Sequence, residues 1–192
     1  MTNQRIKAPE IYEDHPLYSN LNSVNEQMGF ALNDGKLMAY VPDIAKAFAM
    51  LTHETIHKGQ VEKSLKRMMG LISSLSAGCT YCASHTSYTA TKYGVDKSKL
   101  NAIWEFEKSD LFTLKERAAL RLALQSSMMP NQVDAKTILD LQLYYSDAEI
   151  VELVSVLSLY GYLNRFNQTL NTEVEAEPAE IFNSLNLETH GK

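Results

Sequence analysis

The sequence predicts an all-α chain. No stretch sustains the alternation of apolar and polar residues that marks a half-buried strand, and no glycine-rich loop for a nucleotide occurs. Apolar residues recur instead every three or four positions along most of the chain. Two pairs with capping-box spacing, Thr113 with Glu116 and Ser146 with Glu149, mark helix starts. About seven or eight helices result, in a single domain covering residues 1–192, whose hydrophobic content of 45% suffices for one sizeable core.

Residues 1–20 are polar, with Pro9 and Pro16, and read as an N-terminal arm. A weak helical pattern over 21–32 ends at the turn sequence Asn33-Asp34-Gly35. Residues 41–55 form a helix with Pro42 at its first position and Ile44, Ala47, Phe48 and Leu51 along one side. The next helix, 61–76, spaces Leu65, Met68, Ile72 and Leu75 for burial and carries Lys63, Lys66 and Arg67 on its polar side. Gly78 closes it, so Cys79 opens the following helix, which runs to about Tyr93 before Gly94.

Asp96 caps a helix to about Glu107 that turns Leu100, Ile103 and Trp104 inward. The first capping box opens 114–126, Pro130 and Asn131 break it, and 134–144 is helical again. The second opens a long helix to about Asn171. Its segment 150–163 is apolar nearly all round and is expected in the domain centre or between subunits. Residues 173–192 form a tail: an acidic, solvated connector at 173–180 containing Pro178, then a short docking helix or swapped segment at 181–187.

A net charge of −5 without any basic run argues against a nucleic-acid partner. The start lacks a charged-then-apolar signal pattern and no apolar run reaches membrane length, so the expected setting is cytoplasmic, with no membrane partner. In that reducing compartment two cysteines are functional rather than a structural staple.

The chemistry concentrates in residues 76–93, which hold both cysteines and one of the five histidines. Cys79, Cys82 and His85 follow at three-residue steps and share nearly one helix face. At a helix start, unpaired N–H groups and the positive dipole end favour thiolate, most of all at Cys79. The imidazole can take a proton from a thiol or return one to a leaving group. The residues describe a redox dithiol with a proton carrier beside it. That reading requires sulfurs held partly ionised and reachable from solvent, with the ring turned toward them.

Plainer readings exist. A structural zinc site wants four ligands, and there is no second cysteine pair; two inert buried cysteines are the other alternative. His53-Glu54-Thr55-Ile56-His57 matches H-E-x-x-H. Its metzincin extension fails, since Gln60 and Lys63 stand where glycine and histidine are required, and a solvated helix end is expected there. No metal and no cofactor is called for.

The run Gly78-Cys79-Thr80-Tyr81-Cys82-Ala83-Ser84-His85-Thr86 resembles the signature of the alkylhydroperoxidase D and carboxymuconolactone decarboxylase superfamily, in its longer, peroxidase-related subgroup. Segments 115–120, 146–154 and 163–167 resemble later blocks of that subgroup in the same order, so the likeness covers roughly 41–172. It implies an alkylhydroperoxidase D-like helical bundle, commonly homo-oligomeric, and a peroxiredoxin-type hydroperoxide reductase of antioxidant defence. One cysteine attacks the peroxide and becomes a sulfenic acid, the other condenses with it to a disulfide, and an external dithiol reductant restores both. By the resemblance Cys82 attacks, Cys79 resolves and His85 is the relay histidine.

Two departures stand out. Arg67 occupies the place of the relay glutamate, and two residues rather than three separate Cys82 from His85, which turns the ring by about a hundred degrees. A replacement carboxylate must come from another helix, with Glu116 and Glu152 as candidates, or Arg67 acts on a thiol by its charge. Met68, Met69, Tyr81, Tyr88 and Tyr93 are candidates for an apolar substrate pocket. The alternatives are a dithiol–disulfide exchanger without peroxide chemistry and a non-catalytic ligand-binding or scaffold protein. A ring-lactone decarboxylase has no need of a cysteine pair.

Overall fold

The computed structural model describes residues 3–187; residues 1–2 of the predicted arm and 188–192 of the predicted tail lie outside it. In chain order the helices are α1 (Tyr18–Met28), α2 (Asn33–Met38), α3 (Pro42–Thr52), α4 (Lys63–Ser76), α5 (Thr80–Lys92), α6 (Lys97–Asn101), α7 (Leu114–Ser127), α8 (Ala135–Gln142), α9 (Asp147–Leu170) and α10 (Ala176–Asn183). A π turn (His53–His57) follows α3 and a 3-10 turn (Ile103–Glu105) follows α6. The described residues form no strand, as the lack of alternation predicts. The count exceeds the expected seven or eight because α2, only 6 residues long, is too short to leave a periodic trace and α10 begins inside the stretch read as a connector.

α4 runs through the centre, with α5, α7 and α9 packed around it. Leu65, Met68, Met69, Leu71, Ile72 and Leu75 are all buried, because neighbours cover the helix on every side rather than on one stripe. Both capping boxes form, each with the hydroxyl and the glutamate bonded reciprocally to backbone N–H groups. The N-terminal arm is tied to the end of α9: the Arg5 N–H donates to Leu170 O at 2.9 Å and Arg5 Nη1 to Thr169 O at 2.7 Å.

Five expectations change. Asn33-Asp34-Gly35 begins α2 instead of merely turning the chain, and α1 stops earlier, at Gly29 in the left-handed region. The helix predicted over 96–107 breaks at Ala102. One straight helix would point Phe106 about 120° away from Leu100, and the break lets both reach the core. Ile44 and Leu51 of α3 are exposed, and only Phe48 engages, stacking on Tyr162 at 5.4 Å. On α9, Leu153, Val156 and Leu159 are buried but Val151 and Val154 are not, so one side of that helix is uncovered in the chain. Finally, residues 176–180 are not a solvated connector: they begin α10, which packs along α5 with Pro178 buried.

Candidate active site

The cysteines sit where one helix ends and the next begins. Gly78 adopts φ 71°, its N–H bonds to Leu75 O at 3.1 Å, and the Cys79 N–H bonds to Ser74 O at 2.9 Å, which closes α4 in a Schellman motif. Cys79 is also the N-cap of α5, where its sulfur accepts the Cys82 N–H at 3.3 Å. The backbone of Cys79 is thus held by both helices. Ser87 and Thr89 return their hydroxyls to the carbonyls of Ala83 and His85 one turn earlier, so a helix rich in small polar residues still packs deeply.

The two free thiols lie 2.7 Å apart. Asn167 of α9 reaches over and offers its Nδ2–H to the Cys82 sulfur at 3.5 Å. Cys79 is 0% exposed and Cys82 3%, enclosed by Tyr81 with Leu163 and Val174. This departs from the expected open, partly ionised pair. Burial foremost, then the hydrogen bond and charge of Cys79, push the Cys82 thiol well above the ordinary thiol range, against the smaller opposing effect of Asn167. In this closed conformation Cys82 carries its proton.

His85 finds its carboxylate in Glu175, the residue just before α10. The ring Nε2 donates to Glu175 Oε2 at 2.6 Å, with both side chains largely buried. Glu175 stands at the N-cap position without capping its own helix. It accepts instead from His85, from the Asn33 N–H at 2.6 Å and from the Tyr81 hydroxyl at 3.1 Å. Burial opposes its charge, but the bond to His85, the His85 charge and the Asn33 N–H outweigh it and hold the carboxyl below the ordinary range. Tyr81 stacks on His85 at 4.3 Å, and burial with the nearby Asp34 and Glu175 keeps it a phenol. Asp34 is pushed up, first by loss of solvent, with Glu175 adding and His85 opposing. The cluster therefore contains one carboxyl held ionised and one biased toward the acid, a division of labour suited to proton transfer.

The predicted substitutes for the relay glutamate are elsewhere. Glu116 completes the α7 capping box and binds Lys99 at 2.6 Å. Glu152 binds Lys66 at 2.5 Å and the N–H groups of Gln60 and Val61. Arg67 donates to the Tyr160 hydroxyl rather than facing a sulfur. The expected apolar pocket is not assembled: Met68 and Met69 are core residues, Tyr88 bonds to Met28 O, and Tyr93 lies outside under Lys63 and Arg67. A cavity of about 920 Å³ between α4, α7 and α9 is lined by Ser73, Trp104, Met129 and Asn164 and touches neither cysteine. His53 and His57 fold as a π turn, and the charges of Arg67 and Lys63 beside His57 oppose any bound cation.

Glu175, Asp34 and Asn167 escaped the sequence reading. Asn167 did leave a trace, as a polar residue spaced with Asn164 on the inward side of an otherwise apolar helix. Glu175 left a fainter one, as a glutamate where a helix start prefers serine, threonine, aspartate or asparagine.

The chain as a whole is similar to known proteins. Residues 42–125 match the model of the carboxymuconolactone decarboxylase family. The uncharacterised protein YnjA of Escherichia coli K12 is 28% identical over 93 residues, which span 48% of this chain and about half, 51%, of that relative. The crystal structure of the apo debrominase Bmp8 is 33% identical with a TM-score of 0.83, over 92% of this chain and 95% of that one. A cysteine-to-alanine variant of Bmp8 in complex with 2,3,4-tribromopyrrole gives 31% and 0.86, over 96% and 99%. A peroxidase-related protein with an alkylhydroperoxidase D core from Ralstonia eutropha JMP134, at 20% identity and 0.81 over 93% and 94%, shares the fold.

Proposed function

The chain belongs to the carboxymuconolactone decarboxylase and alkylhydroperoxidase D superfamily, and from that premise we propose that it is a dithiol reductase, passing two electrons from Cys79 and Cys82 to an electrophilic substrate. The observation that carries this reading is a thiol pair 2.7 Å apart at the start of α5, with the hydrogen-bonded His85–Glu175 pair about one turn further along the same helix.

Cys82, the less enclosed sulfur, attacks; Cys79 resolves; His85, oriented by Glu175, carries protons. With a hydroperoxide, the Cys82 thiolate takes the terminal oxygen, the O–O bond breaks and the alkoxide leaves with the proton Cys82 gave up. Cys79 then displaces hydroxide from the sulfenic acid, and its own proton completes water. The products are one alcohol, one water and the Cys79–Cys82 disulfide, which an external dithiol reduces. Rapid capture by Cys79 keeps Cys82 from irreversible over-oxidation. Because both sulfurs are enclosed, Val174 and the connector that carries it must move aside first. No described helix is long and apolar enough to cross a membrane. The reading includes a cytoplasmic setting and a homo-oligomer, supported by the uncovered Val151 and Val154 of α9 and Ile44 and Leu51 of α3.

A second substrate class is favoured by the debrominase relatives, which match nearly the whole chain above 30% identity. A thiolate can take bromine from an electron-rich aromatic ring as it takes oxygen from a peroxide. The ring carbon gains a proton, Cys79 displaces bromide from Cys82, and the same disulfide results.

The test is single-turnover loss of free thiols in the reduced protein, with a hydroperoxide in one arm and 2,3,4-tribromopyrrole in the other, alongside Cys79→Ser and Cys82→Ser. The expected result is loss of both thiols, faster than free cysteine, in at least one arm. Cys79→Ser should stop at a trappable Cys82 adduct and Cys82→Ser should not react. Slow loss in both arms, or equal rates in the two variants, would sink the reading.

A further inference from the structure

The cavity of about 920 Å³ between α4, α7 and α9 stands apart from the thiol chemistry, since neither cysteine lines it. Its wall carries one charged side chain, Arg165 of α9, and no carboxylate. Arg165 is exposed, and among the described residues no acidic group forms an ion pair with it. The guanidinium is folded back along its own helix, where Nη1 donates to Gly161 O at 2.8 Å. A glycine inside a helix weakens it, and this one makes room for the fold-back, because a Cβ at 161 would press on Nη1 at 3.3 Å. The charge is thereby held at the cavity wall instead of swinging in solvent.

The neutral polar groups of the wall have the opposite bias. Ser127 Oγ gives its proton to Ala123 O at 2.7 Å and Ser158 Oγ to Val154 O at 2.9 Å, so each hydroxyl keeps only lone pairs for a ligand. Gln168 Nε2 donates to Ala77 O at 2.5 Å, and its amide oxygen is left to accept. Trp104, Leu124 and Leu157 supply apolar wall.

We propose that this cavity binds an organic carboxylate built on an apolar ring with a hydroxyl group, the carboxylate on Arg165 and the hydroxyl on the acceptors of Ser127, Ser158 or Gln168.

With Nη1 spent on Gly161 O, the Nε–Nη2 edge of the guanidinium matches both oxygens of one carboxylate. A ring covers the apolar wall and gains contact with the indole, and the volume lies in the range of small-molecule sites. An inorganic anion would leave that wall bare, and a cation would face Arg165 with no carboxylate to offset it. A second copy of the chain is a poorer occupant, since the centre of a subunit contact is apolar and depleted in charge, whereas this wall is rich in hydroxyls.

Trp104 is the chain's one tryptophan and lies in the wall, so its fluorescence reports occupancy directly and independently of the thiols. The full chain is titrated with 4-hydroxyphenylacetate, phenylacetate and tyramine. A saturable change with 4-hydroxyphenylacetate is expected at millimolar concentration or below, about three- to tenfold weaker with phenylacetate and absent with tyramine. Arg165→Gln, at an exposed position, should weaken binding of the acid by about tenfold or more, and Arg165→Lys, which keeps the charge but not the fork, by less. No saturable change with the acids, an equal response to tyramine, or undiminished affinity in Arg165→Gln would overturn the site. Equal affinity for the two acids would overturn the hydroxylated class. Emission that follows protein concentration instead of ligand would put a second copy in the cavity and overturn the proposal as well.

Discussion

Glu175 accepts the Nε2 proton of His85 at 2.6 Å across 90 residues of sequence. The bond joins α5, which carries the sulfurs, to the segment that leads into α10, and the Asn33 N–H draws the start of α2 to the same carboxylate. One carboxylate therefore orients the proton carrier and fastens two elements over the thiols. Replacing it with an isosteric amide separates charge from shape. Glu175→Gln should slow single-turnover thiol oxidation by about tenfold to a hundredfold with little change in midpoint temperature. An unchanged rate would reduce Glu175 to a structural clasp.

The pH profile of that oxidation follows from Cys82. Its thiol is held above the ordinary range, mainly by burial, and only the thiolate attacks. Below the raised pKa the thiolate fraction grows tenfold per pH unit, so the rate should climb through pH 8.5, where an exposed cysteine levels off. Asn167→Leu removes the N–H that favours the thiolate, and should slow the reaction at pH 7 by about tenfold. A plateau below about pH 8 would mean that the attacking sulfur is not the buried one.

Access to the pair depends on the connector between α9 and α10. Val174 packs on the sulfurs, while the arm holds the end of α9 through Arg5 and meets the connector where Gln4 Oε1 accepts the Glu173 N–H at 3.3 Å. Loosening either should expose the thiols. Arg5→Ala and Val174→Ala are each expected to raise the rate of thiol alkylation in the native protein about three- to tenfold, at unchanged global stability within about 1 kcal/mol. Rates equal to wild type would place the opening somewhere else.

How far the sequence could be read depends on the range of the interactions involved. The Schellman closure at Gly78, the capping boxes at Thr113 and Ser146, and the stop at Gly94 are all completed within a few residues, and each is where the sequence puts it. The closeness of the two thiols is legible for the same reason, since they stand three positions apart at one helix start. What closes over them is not: Glu175 and Asn167 reach the site across 90 and 85 residues. The burial of the sulfurs, which local helix-start electrostatics gave no warning of, is likewise set by Leu163 and Val174 from distant segments. Lys66 reads only as one residue of the polar side of its helix, because its partner, Glu152, lies on α9.

His57 makes stability depend on acid. Its pKa is about 4 in the folded chain, below the ordinary 6.5, with burial as the first cause. Between those values the unfolded chain binds a proton that the folded chain does not, so stability falls as pH drops from 6.5 toward 4 and this contribution levels off below. The ring is half exposed, and solvent screening reduces the effect to about 1–2 kcal/mol. Urea unfolding of wild type and His57→Gln at pH 7 and pH 4.5 should show a smaller acid loss in the variant. Parallel losses would assign the acid sensitivity to other groups.

The largest stability effect is expected at Lys66, which is 0% exposed. Its ammonium binds Glu152 at 2.5 Å and the carbonyls of Thr55 and Lys58 at 2.8 and 2.5 Å, so it joins the π turn to α4 and α9. The loop closes tightly around that pair: Gly59 has φ 89°, and a Cβ on it would fall 2.2 Å from Glu152 Oε1. Lys66→Ala strands a carboxylate and two carbonyls together and should cost about 3–5 kcal/mol. Glu152→Gln alone should cost less, because its amide still accepts from the loop N–H groups. Denaturant unfolding of both singles and the double variant measures what the pair itself contributes. The double should be less destabilised than the sum of the singles by about 1–3 kcal/mol, since the second change removes a charge already left without its partner. Strict additivity would show that the ammonium acts through the two carbonyls alone.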